Sequence, residues 1–77
     1  MEKIKLVWEF RGSEAEKTAE HHAIHLREYN QLHSRTDHEC GTEKISDLYV
    51  IAYMIVPRDE MLHYRDHLKP QRAFVVE

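Results

Sequence analysis

The stretch AEHHAIHLREY, residues 19–29, sets three histidines into eleven residues. His21 and His25 are four apart, and His63 and His67 repeat that spacing later in the chain. Residues four apart on a helix share a face, so either pair could offer two ring nitrogens to one zinc ion. The remainder of a zinc-enzyme pattern is missing: position 22 is His where a catalytic Glu would stand, and Leu26 follows His25. A structural zinc site wants four ligands, and the other soft donor, Cys40, is tied to neither pair by anything in the sequence. The pairs therefore read as the polar sides of helices. His21 and His25 are the metal candidates if a site exists, and neither a metal nor another cofactor is expected.

Two further combinations could carry chemistry. Cys40 lies two residues after His38, close enough in sequence for an imidazole to activate a thiol. Alternation along a strand spaces two such side chains by about 7 Å, too far for a direct bond, and no third group stands ready to orient the pair. An unreactive thiol is the expectation. Tyr53, or Tyr49, beside Glu9 could move a proton on a small molecule, which makes Tyr53 and Glu9 the catalytic candidates.

These residues must be held by a short chain. Seventy-seven residues make one domain, 1–77, at a size where a single core gains from a second copy or a partner. One cysteine cannot cross-link the chain to itself and suits a reducing compartment. The N-terminus lacks a long apolar stretch, and the run from Leu48 to Pro57 is too short to span a bilayer, so a soluble, cytoplasmic protein is expected without a membrane partner. Fourteen acidic and eleven basic residues, scattered rather than blocked, give a net charge of −3 and argue against a nucleic-acid partner.

Residues 3–11 alternate apolar Ile4, Leu6, Trp8 and Phe10 with polar neighbours, broken only by Val7, and predict a strand with one buried face. Gly12 ends it, and Ser13 with Glu16 predicts a capping box at the start of a helix from about Glu14 to His33. The apolar stripe of this helix holds Ala15, Ala19, Ala23, Leu26 and Tyr29, with His22 and His33 inside it and His21 and His25 at its edge. Turn formers fill Ser34 to Cys40; GTEKI and LYVIAYMIV, either side of Ser46-Asp47, predict a hairpin. A second helix is expected over Arg58 to Leu68, burying Met61, Tyr64 and Leu68 and turning His63 and His67 to water. Lys69 before Pro70 is biased out of the helix, and Ala73 to Val76 read as a last strand.

The order is βαββαβ, predicting an α+β, ferredoxin-like sandwich: a four-stranded antiparallel sheet with two helices on one face. If residues 38–45 are loop, the fallback is a three-stranded βαβαβ unit. Two helices cover one face only, yet Leu48 to Val56 is apolar at every position, and its second face needs cover too. Leu48, Val50, Ala52, Met54 and Val56 are assigned to the helices. Tyr49, Ile51, Tyr53 and Ile55 are assigned to the open side, as the interface of a homodimer; a strand apolar at every position fits the opposite register about as well. RNA-recognition domains share this order, but the run DLYVIAYMIV lacks their glycine and their basic start. Architecture alone selects no activity. The expectation is a small homodimeric binding or interaction module, which a small-molecule ligand also suits. The alternatives are a small dimeric enzyme with a Tyr/Glu/His cleft and a histidine-rich metal-binding protein.

The isoelectric point lies near 6.1, and seven protons added to a charge of −3 make +4, so the charge reverses where histidine titrates. Turbidity at low salt should peak near about pH 6; a flat profile across the histidine range would show that the rings do not titrate as solvated groups.

Overall fold

The computed structural model describes residues 2–33 and 38–76. In chain order these form β1 (Lys3–Arg11), α1 (Ala15–Leu32), β2 (Glu39–Ser46), β3 (Tyr49–Pro57), a 3-10 turn (Arg58–Glu60), α2 (Met61–Leu68) and β4 (Arg72–Val76). The four strands make one antiparallel sheet in the order β2-β3-β1-β4, so the three-stranded fallback does not apply. Most of the segment expected as a turn, residues 34–37, lies outside the described residues.

The centre of the sheet is the β1–β3 ladder, nine paired positions running from Lys3 opposite Pro57 to Arg11 opposite Tyr49. Period-two alternation sends Ile4, Leu6 and Trp8 to the same side as Val50, Ala52, Met54 and Val56. These residues share one core with Ala15, Ala19 and Leu26 of α1 and Tyr64 of α2, so both helices lie on that face. Alanines at 15, 19 and 23 let α1 approach the sheet closely. Leu48 is the exception to the helix-side assignment: it sits in the turn and stays 58% exposed. The hairpin turn falls at Asp47-Leu48, one residue later than Ser46-Asp47, with a register shift between Lys44 and Ser46.

The capping box does not form. Glu14 occupies the N-cap of α1 without a side-chain bond, and the helix is entered through a turn in which the Ala15 N–H donates to the Gly12 carbonyl at 3.1 Å. Gly12, at φ +111°, takes a conformation that a side chain would strain. At the far end of α2, Lys69 at φ 50° supplies the left-handed residue that stops the helix before Pro70.

Polar contacts to β1 and α1 anchor α2. Trp8 Nε1 donates to the Leu68 carbonyl at 2.8 Å, satisfying a helix-end acceptor, and the Tyr64 hydroxyl donates to Asn30 Oδ1 at 2.9 Å. Asn30 is a buried polar residue, and its amide nitrogen faces Met54 Sδ at 3.2 Å and Cys40 Sγ at 3.4 Å. Sulfur is a weak acceptor, so the tyrosine hydroxyl carries most of the compensation for burying this amide. Tyr64→Phe should therefore lower stability by about 1–3 kcal/mol in urea denaturation, the cost of leaving a buried acceptor unpaired. An unchanged midpoint would mean that Asn30 is satisfied otherwise.

Candidate functional site

On the sheet face away from the helices, odd-numbered β1 residues meet Tyr49, Ile51, Tyr53 and Ile55 in the registers Arg11–Tyr49, Glu9–Ile51, Val7–Tyr53 and Lys5–Ile55. On its other side β1 sets Val7 opposite Arg72 and Lys5 opposite Phe74. The result is a basin of about 330 Å³ on the open face. Val7 and Ile51 form its floor and are only 3% and 7% exposed. Lys5, Glu9, Tyr49 and Arg72 make its polar rim, and Ile45 and Phe74, each about half exposed, its apolar walls.

The rim charges are paired within the chain. Tyr49 donates its hydroxyl to Glu9 Oε2 at 2.6 Å, and Arg72 Nε donates to the same oxygen at 2.8 Å. The Arg11 guanidinium lies 4.1 Å from the centre of the Tyr49 ring. Lys5 crosses β3 over the Tyr53 ring, 4.7 Å from its centre, to reach Glu43 Oε1 at 3.3 Å. Tyr53 in turn lies across Gly41, where an added Cβ would stand 2.9 Å from its hydroxyl oxygen, and it donates to Glu39 Oε2 at 3.4 Å. Glycine at 41 is what lets this ring lie flat.

The register puts Tyr49 and Tyr53 both on diagonals from Glu9, and the candidate pair for proton transfer is Glu9 with Tyr49 because the Tyr49 hydroxyl donates to Glu9 whereas the Tyr53 hydroxyl donates to Glu39 on β2. The Tyr49 hydroxyl and then Arg72 and Arg11 hold the Glu9 carboxyl below its ordinary range, against a smaller opposing effect of burial. The hydrogen bond to Glu9, then burial, pushes the Tyr49 phenol up. Glu9 becomes a weaker base and Tyr49 a weaker acid, so at neutral pH each stays in its resting protonation state. The pair orders the face and is poorly suited to general acid–base work. Arg72 carries no local signal as a rim residue, since its partner Glu9 is 63 positions away and only the β1–β4 pairing brings them together.

The histidines lie elsewhere. His21 and His25 are exposed on α1, and His25 Nδ1 is 3.3 Å from Glu28. Among the described residues no group of three His, Cys, Asp or Glu side chains is placed to hold a metal ion. His33, expected within the buried stripe, is exposed at the C-terminal end of α1 with its ring 4.4 Å from Tyr29. His63, expected in water, is half-buried: α2 lies against α1, and Tyr29 Oη is 2.9 Å from His63 Nε2. His67 is exposed, as expected, and its Nδ1 is 2.8 Å from the His63 carbonyl. His38 Nε2 faces Glu60 Oε1 at 3.3 Å. Cys40 is half-buried against Asn30, and burial pushes its thiol up, which leaves it a poor nucleophile.

His22 is the most constrained ring. It lies between Trp8 and Phe10, with ring centres 4.9 and 5.5 Å away, and its Nε2 is buried without a hydrogen-bond partner. Burial, and then the charge on His25, holds its pKa below the ordinary histidine value. A depressed histidine keeps its full contribution to stability above the unfolded-state value of about 6.5, and loses it as pH falls from there towards the folded-state value. Stability should decline below about pH 6.5, and His22→Phe should flatten that part of the profile in urea melts at successive pH values. An identical slope in the variant would assign the pH dependence to other groups.

No described helix is long and apolar enough to cross a membrane. Compared with protein-family models, with curated proteins and with solved structures, the chain matches none.

Proposed function

We propose that the chain is a small binding module that forms a homodimer by packing the open face of its sheet against the same face of a second copy. The observation that carries the reading is the basin: an apolar floor, half-exposed Ile45 and Phe74, and a rim whose charges are already paired within one chain. Pre-paired charges can be covered at lower cost, because each ion keeps its counter-ion when water leaves. An apolar centre inside a polar rim is also the usual anatomy of a protein interface. A face that carries both signs, Lys5 and Arg11 with Glu9 and Glu43, can meet a copy of itself across a two-fold axis with opposite charges in register.

The connectivity is, in the same reading, ferredoxin-like, supported by the βαββαβ element order and the β2-β3-β1-β4 strand order. A cytoplasmic location is part of the same proposal, supported by a single cysteine that cannot form a disulfide within the chain. Single-stranded nucleic acid is the main rival occupant of such a face, since bases stack on sheet aromatics. Here Arg11 and Lys5 already lie over the Tyr49 and Tyr53 rings, and the net charge is −3, so both stacking and phosphate attraction are diminished.

Light scattering at micromolar concentration tests the dimer. The wild type should run at twice the 9.3 kDa chain mass. Ile45→Glu and Phe74→Glu alter half-exposed walls, so they should yield folded monomers with unchanged far-ultraviolet dichroism. Ile51→Glu is a different probe: at 7% exposure in the single chain it buries a carboxylate even without a partner, and it should cost several kcal/mol of folding stability. A wild type that is monomeric and melts cooperatively would refute the proposal, and an Ile45→Glu protein that stays dimeric would move the interface elsewhere.

A further inference from the structure

We infer that the basin on the open face is a binding site for a small amphipathic monoanion, a medium-chain carboxylate, with its apolar tail between Ile45 and Phe74, above Val7 and Ile51, and its carboxylate at Arg72 with Arg11 nearby. The inference rests on the dimer reading for closure alone: the basin is open to one side in a single chain and a second copy would close it, whereas the residues that hold the head group belong to one chain.

Shape and polarity select the tail. A volume of about 330 Å³ lies at the lower end of the range of small-molecule pockets, roughly 300–1,000 Å³. Two such basins facing each other across a two-fold axis would form one enclosed space between the sheets. The floor offers only aliphatic side chains, and the Phe74 ring walls one side. Nothing on the floor could satisfy a polar group, so the buried part of the ligand has to be hydrocarbon.

Charge selects the head. At the Glu9 end Arg72, on the rim, spends its Nε on Glu9, and Arg11, just outside the basin, lies over the Tyr49 ring close enough for its charge to act on Glu9. Among the described residues the terminal guanidinium nitrogens of both donate no hydrogen bond, so a planar, two-oxygen acceptor could be held by their paired N–H groups. Lys5, by contrast, is engaged with Glu43. Two positive charges against one negative leave an excess of one, which matches a carboxylate and would leave a phosphate monoester half neutralised.

Octanoate, octanol and octylammonium share a tail and differ in head charge, and isothermal titration of each into the intact wild-type protein separates the two halves of the argument. We expect octanoate to bind one per chain, octanol more weakly and octylammonium weakest. Arg72→Gln should weaken octanoate about tenfold while leaving octanol unchanged, the effect of losing one charge-assisted contact. Light scattering on the same samples reports the dimer independently. A dimer that binds no octanoate, or binds octylammonium as well as octanoate, would overturn the inference and leave the dimer intact. Octanoate binding that Arg72→Gln does not change would overturn it too. A monomer showing the full head-group preference would support the basin and refute the dimer.

Discussion

Strand β3 is apolar at every position from Tyr49 to Val56 and lies between β1 and β2, so it presents two apolar faces and has to be covered twice. The helices cover one. They do so economically: α1 contributes alanines and Leu26, which bring its backbone near the sheet, and α2 contributes one fully buried side chain, Tyr64. On the other face the chain covers β3 with itself as far as it can. Lys5 folds over Tyr53, Arg11 over Tyr49, and neighbouring side chains already exclude most water from Ile51 and Val7. What is left over is a concave apolar floor, and the proposed dimer and ligand both follow from that remainder.

The polar groups of the fold are placed to make this possible. Asn30, Tyr64 and Trp8 tie α2 to α1 and to the sheet through two hydrogen bonds, so a helix of eight residues with a weakly apolar face stays docked. On the open side Glu9 serves as a hub, accepting from Tyr49 and Arg72 and thereby joining β1 to β3 and β4. The same arrangement weakens Glu9 as a base and Tyr49 as an acid.

Most of the architecture was legible because its signals are local. The alternation of β1, the stripe of α1 and the punctuation at Gly12, Pro57 and Pro70 each lie within a few residues of what they specify. β2 was the least legible strand: Glu39, Thr42, Glu43 and Lys44 are polar and exposed, as an edge strand permits, so they carry no alternation. Ser13 misled because a serine before a helix need not cap it when the backbone of Gly12 closes the turn instead. The face of β3 towards the helices was not decided by the sequence, because a strand apolar on both sides fits either register, and side-chain size was a weak guide; the pairing with β1 places Val50, Ala52, Met54 and Val56 in the core. The partners on the open face could not be assigned either, because Tyr49 and Tyr53 are both diagonal to Glu9 and the choice depends on Glu39 of β2 taking the Tyr53 hydroxyl. Asn30 was hidden for another reason: a polar residue four after Leu26 reads as surface until Tyr64, from a distant helix, supplies its hydrogen bond.

The claim that a second copy covers the open face is tested most directly by isotope-filtered NMR on an equal mixture of labelled and unlabelled chains, which detects only contacts between copies. The dimer predicts intermolecular contacts from the Phe74 ring and the Ile45 methyls to the other chain's open face, with none from Ile24 or Leu62 on the helices. Intermolecular contacts confined to the helical side, or none at all at a concentration where the chain is folded, would contradict it.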